Sequence, residues 1–182
     1  MSNPPLPEVW LRGPVQGFAP VVMPAAHALL QVREDLERLA NTVPDAHVWA
    51  RPGGAASIGF HIRHTGGALD RLLTYARGEP LSDGQLRFLR VEGDAGDPPA
   101  LLASLVNEAQ TTLERALAQL RDTAPDSIYV ERRVGRAGLP ATVAFNLETE
   151  TTFSPASMNF SWSRRTVSKV ANQSVKKRLT PA

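Results

Sequence analysis

The segment from Ser57 to Gly78 constrains the fold most strongly, because it has the pattern of one long amphipathic helix. Its inward-facing residues recur at steps of three and four, which places them on a single stripe: Ile58, Ile62, Thr65, Leu69, Leu72 and Ala76. Ser57 is suited to cap the N-terminus of the helix, and Gly78 after Arg77 is suited to end it. The segment therefore predicts a helix packed on others along one face.

Two of the four histidines, His61 and His64, lie at the edge of this stripe. Because they are three residues apart, both rings can point in the same direction. Neutral imidazole is the commonest metal ligand among side chains, and helical bundles place metals between facing helices. The pair is therefore a candidate metal site, although partly buried structural histidines would give the same pattern.

Gly66 and Gly67 interrupt the same helix, where each glycine costs about 1 kcal/mol relative to alanine. The pair predicts close packing of another helix, and room for a ligand beside His64 is the alternative. Asp70, further along, is predicted to form an ion pair on the helix surface. His27 is predicted to be a structural side chain of the first helix, and His47 to lie on the surface of a proline-rich loop.

The histidine segment resembles the first metal-binding helix of the DinB-like (YfiT-like) family of predicted metalloenzymes, at Ser57-Ile58-Gly59 and Ile62-Arg63-His64. The resemblance also covers residues 13–40 and 130–143. It implies an all-α, up-down four-helix bundle, a zinc or nickel ion, and hydrolase or thiol-transferase activity on a small-molecule substrate. It places a metal ligand at His64 with His61 as its neighbour, and implies two further histidines on the last helix.

The C-terminal part of the chain departs from that family pattern. No histidine follows His64, and every lysine lies after Val143. The sequence that should form the last helix is rich in Ser and Thr and contains Pro155, which disfavours a helix. We predict an incomplete bundle domain over residues 1–143 and a divergent basic tail over residues 144–182. An altered reading frame near Ala144 and genuine divergence both explain this change.

The remaining predicted helices are assigned from apolar periodicity and from capping residues. The ranges are Val21–Ala40, Asp83–Val91 after Ser82, Pro99–Arg121 opened by Asp97-Pro98, and a weak tail helix over Thr166–Leu179. Residues Ile128–Val134 are predicted to be extended. If the fourth helix is missing, we expect leucines of the other helices to be exposed and the chain to form a homo-oligomer: Leu69, Leu72, Leu105 and Leu113.

Composition excludes several classes of function. The chain has no cysteine, which excludes disulfides and thiolate chemistry, and no G-x-S-x-G or phosphate-binding glycine motif. It has no apolar run long enough to cross a membrane and no signal-peptide pattern, which favours a cytoplasmic protein. Specific nucleic-acid binding is not expected, because the basic residues concentrate in the tail. Two functions stay open: an enzyme of the metal-dependent class with an incomplete metal site, and a non-catalytic bundle that binds a small molecule or itself.

Overall fold

The structure, a computed structural model, describes residues 6–148, which form a helical assembly with one small hairpin. The helices are α1 (Met23–Ala40), α2 (Asp45–Val48), α3 (Ile58–Arg77), α4 (Asp83–Val91), α5 (Leu102–Asp122) and α6 (Val143–Glu148). The strands are β1 (Glu131–Val134) and β2 (Leu139–Thr142), and short 3₁₀ turns occupy Val9–Arg12, Pro20–Val22, Pro52–Gly54 and Pro125–Ser127. The predicted helical fold class is confirmed.

Helix α3 begins and ends where the sequence predicts. The Ser57 hydroxyl accepts a hydrogen bond from the Phe60 N–H, and Gly78 ends the helix in the left-handed conformation with φ of 79°. Helix α4 starts at a capping box in which Ser82 and Gln85 bond each other's backbone N–H groups. Local side-chain chemistry therefore sets both boundaries of α3 and the start of α4.

The predicted start of α5 is wrong by three residues. The Asp97-Pro98 pair does not open the helix, which begins at Leu102. The reason is a contact across the fold: the Leu102 N–H donates to the Asp45 carboxylate of α2 at 2.8 Å. A carboxylate at this position satisfies one of the otherwise unbonded N–H groups of the first turn.

The core lies where α5 packs against both α3 and α1. Its most deeply buried leucines come from α1 and α5: Leu36, Leu105, Leu113, Leu117 and Leu120. Within the α3 stripe, Leu69 lies on the inward face as predicted, whereas Leu73 is buried and Leu72 of the predicted stripe is half-buried. The expectation that Leu69, Leu105 and Leu113 are exposed is wrong, because all three are buried.

Helix α6 begins where the family pattern places the last helix, although the sequence from Ala144 onward is rich in Ser and Thr and is predicted to form a helix poorly. The Thr142 hydroxyl accepts from the Phe145 N–H, and the Val143 and Ala144 N–H groups donate to carbonyls of residues 130 and 128. Val143 and Leu147 are buried against the rest of the fold. The predicted helix over Thr166–Leu179 and nearly all of the predicted tail lie outside the described residues.

Strands β1 and β2 pair in antiparallel register, from Glu131 opposite Thr142 to Val134 opposite Leu139. The hairpin confirms extended structure within the predicted range 128–134. It leads directly into α6, which packs on α3. The hairpin thus fixes where the last described helix meets the histidine helix.

Candidate functional site

The two candidate histidines lie on neighbouring turns of α3 and share one aromatic neighbour, Phe60. The Phe60 ring stacks nearly parallel to the His64 ring, with centroids 5.3 Å apart and an interplanar angle of 15°. It meets the His61 ring edge-on at 5.4 Å and 67°. The structure therefore brings together the two residues that the sequence singles out.

His64 is held by a buried carboxylate that the sequence analysis missed. Its Nδ1 lies 2.8 Å from Oε2 of Glu92, the residue that directly follows α4. The other oxygen of Glu92, Oε1, accepts from Nη1 of Arg71 at 2.6 Å. Glu92 is only 3% exposed, so its charge is compensated by partners within the fold.

Gly67 gives Glu92 the space to approach α3. A Cβ placed on Gly67 would lie 2.5 Å from Glu92 Oε1 and 2.6 Å from the Phe88 ring, both closer than real Cβ contacts. The neighbouring Gly66 differs, because its Cβ would make ordinary contact with Ala109 of α5, at 3.5 Å from Cα. The glycine at position 67 therefore allows close packing, as predicted, and the element that packs against it is the end of α4.

The environment of His61 favours its neutral form. Burial lowers the pKa of the His61 imidazole, and the positive charge that His64 can carry lowers it further. A neutral imidazole is the form that donates an electron pair to a metal or accepts a hydrogen bond from a ligand.

A groove of about 520 Å³ runs between α3, α4 and α5, next to the Glu92 contact. Gly66, Gly67 and Ala109 line its floor together with larger apolar side chains. At its rim Asp70 pairs with Arg115 of α5 at 2.9 Å and accepts from Gln85 Nε2 at 2.7 Å. The predicted Asp70 ion pair therefore exists, and it links α3 to a neighbouring helix.

The model of the DinB superfamily matches residues 28–155, a range that contains α3, Glu92 and both histidines of the candidate site. The chain belongs to the DinB superfamily. A search of curated proteins gives no match. The DinB match runs past the predicted boundary at Val143 and takes in all of α6.

The DinB superfamily is generally metal-binding. His61 and His64 supply two imidazoles, and residues 6–148 contain no group of three or more His, Asp or Glu side chains placed to hold a metal ion. The sequence carries no histidine beyond His64. The two last-helix histidines that the resemblance implies are therefore absent from this sequence.

The other two histidines lie on α1 and α2. His27 Nε2 lies 3.0 Å from the Gly13 carbonyl oxygen and ties α1 to the preceding segment. The prediction for His47 is wrong, because this residue lies in the short helix α2 and its side chain is half-buried. Within the described part of the chain, no helix is both long enough and apolar enough to span a bilayer.

Proposed function

We propose that this DinB-superfamily protein is a metal-dependent hydrolase or thiol transferase whose metal site is incomplete. His64 is its remaining oriented ligand, and His61 is the neighbouring donor. The observation that supports this proposal is the 2.8 Å contact between His64 Nδ1 and buried Glu92. Metal-ligating histidines commonly donate their second ring N–H to a carboxylate in this way.

The ligand count decides how strongly such a site binds. Catalytic zinc sites use three protein ligands and leave one position open for water or substrate. Two imidazoles on adjacent turns of α3 fall one ligand short of that set. We therefore expect zinc or nickel binding with a Kd weaker than about 1 μM, a binding free energy smaller than about 8 kcal/mol.

Calorimetric titration of the full chain with zinc and with nickel tests the proposal. We expect weak heats that fall further in His64→Ala and stay unchanged in the control His47→Ala. Tight one-to-one binding that disappears in His64→Ala would contradict the incomplete site, because other residues would then complete the ligand set. If the weak binding were lost in His47→Ala and kept in His64→Ala, the assignment of His64 as the ligand would be contradicted.

The alternative function, a non-catalytic small-molecule-binding bundle, is supported by the groove between α3, α4 and α5. A thermal-shift screen with a diverse small-molecule panel tests it. Asn107→Trp would fill the groove from its exposed rim and should abolish the shifts, whereas Ser104→Trp, on α5 but outside the lining, should not. Ligands whose shifts survive Asn107→Trp would contradict the groove as the binding site.

Self-association and the divergent tail after Val143 stay predictions. Light scattering of the purified full chain measures the first. The nucleotide sequence across codons 139 to 150 addresses the second: a histidine-bearing helix in another frame would support a damaged copy of a family member. Its absence there would support genuine divergence.

A further inference from the structure

We propose that Glu92 is the positioning residue of the candidate site, and that it holds His64 as the tautomer protonated at Nδ1. The inference rests on the proposed function, in which His64 supplies an electron pair, and it names the group that decides which ring nitrogen supplies it. That nitrogen is Nε2. Gly67 and Arg71 complete the arrangement. Gly67 leaves room for the Glu92 carboxylate, and Arg71 donates to the carboxylate oxygen that His64 does not contact.

The spacing of the α3 residues brings all three partners to one carboxylate. His64, Gly67 and Arg71 are three and four residues apart, which places them on one face of the helix. Glu92 meets all three: it lies against the Gly67 backbone, bonds His64 through Oε2 and bonds Arg71 through Oε1. A single side chain from the end of α4 is thus fixed from three directions.

The chemistry of the contact determines the tautomer. A carboxylate only accepts hydrogen bonds, so the His64 nitrogen that lies 2.8 Å from it must be the donor. In the neutral ring the proton then sits on Nδ1, and Nε2 carries the lone pair. Arg71 occupies the second oxygen of Glu92 at 2.6 Å and compensates the charge of the buried carboxylate.

Phe60 fixes the plane of the same ring. Its ring lies nearly parallel to that of His64, at 15° and 5.3 Å. The Glu92 contact defines one in-plane direction, and the stack restricts rotation out of that plane. Together they leave the His64 imidazole one orientation, which is what a preorganised ligand or acceptor needs.

The experiment is long-range proton–nitrogen NMR on the full chain labelled with ¹⁵N-histidine, in chelator-treated buffer near pH 8. In the natural sequence we expect His64 to show a protonated Nδ1 and an unprotonated Nε2. In Glu92→Gln the amide N–H can donate to Nδ1, so the signals should move toward the Nε2–H form. Glu114→Gln, which alters an exposed ion-paired glutamate, should leave them unchanged.

A second pair of variants keeps the test decisive if Glu92→Gln does not fold. Gly67→Ala should push Glu92 and Phe88 away and move the His64 signals in the same direction, whereas Gly66→Ala should leave them in place. An Nε2–H form of His64 in the natural sequence, or signals unchanged in Glu92→Gln or Gly67→Ala, would overturn the inference. Because no metal is present, such a failure concerns Glu92 alone, while the metal titration separately judges the ligand set.

Discussion

Gly66 and Gly67 are neighbours in α3, yet they belong to two regions built on different physical principles. Gly66 faces the apolar contact between α3 and α5, called the seam below, where its neighbour is the backbone and side chain of Ala109. Gly67 faces the end of α4, where its surroundings are a buried carboxylate and an aromatic ring. The first region is apolar packing, and the second is a polar contact set around Glu92.

The comparison shows that one helix can serve the core and a candidate site with separate faces. Along the seam, stability comes from apolar area removed from water. On the α4 face, the buried carboxylate of Glu92 is tolerated because one of its oxygens bonds Arg71 and the other bonds the imidazole of His64. Substitutions should therefore affect the two faces in different ways.

The largest expected effect is on the seam. Leu113→Ala should lower the free energy of unfolding by about 2–5 kcal/mol, because it leaves a cavity around a side chain that is 1% exposed. Leu89→Ala on α4, where the leucine is 44% exposed, is the matched control and should cost far less. Urea denaturation measures both, and equal losses would contradict the position of the core.

The next effect is on the α4 face. Glu92→Gln should cost about 1.5–3 kcal/mol, the range for hydrogen bonds to charged groups, because both His64 and Arg71 lose their ionic acceptor. The exposed pair of Arg33 and Glu114 provides the control, since Glu114→Gln should change stability by about 1 kcal/mol or less. A Glu92→Gln protein as stable as its parent would show that the carboxylate contacts contribute nothing.

The glycine pair gives two effects of opposite sign. Gly67→Ala should destabilise the fold despite a helix-propensity gain of about 1 kcal/mol, since overpacking typically costs about 1–3 kcal/mol. Gly66→Ala should be neutral or stabilising, because its new methyl group meets only ordinary contacts. Thermal unfolding of the two variants compares the regions directly, and the same sign for both would break the distinction.

The sequence could predict the seam but not the polar face. Helical periodicity places Leu69, Leu105 and Leu113 on the apolar faces of α3 and α5, although the expectation that these leucines are exposed is wrong. Glu92 follows α4 without a motif, and its partner His64 lies 28 residues earlier in the chain. The same limit explains α5, whose first turn is set by distant Asp45 and not by the local Asp97-Pro98 pair.

The smallest expected effect is a pH dependence at His61. Burial, and then the charge of His64, lower the pKa of His61 below its ordinary value of about 6.5. The unfolded chain therefore takes up a proton before the folded chain does as the pH falls. The contribution of neutral His61 to the free energy of unfolding is fully present above about pH 6.5. It declines as the pH drops toward the lowered pKa of His61 in the folded state.

Stability of the natural sequence and of His61→Gln, measured from pH 8 to pH 5, checks this sign. The stability of the variant relative to the natural sequence should rise as the pH falls. An advantage that grows with rising pH would mean that the fold favours the charged form of His61.

The most direct test of the polar face is a double-mutant cycle between His64 and Glu92. We expect unfolding free energies of His64→Ala, Glu92→Gln and the double variant to give a coupling of about 1–3 kcal/mol, as for residues that share a hydrogen bond. A cycle between His64→Ala and Leu113→Ala should give a coupling of no more than about 0.5 kcal/mol. The reason is that His64 contacts Glu92 at the end of α4, whereas Leu113 belongs to the apolar core of α5. Coupling between His64 and Glu92 as small as in that control would contradict the account, because the contact would then hold nothing in place.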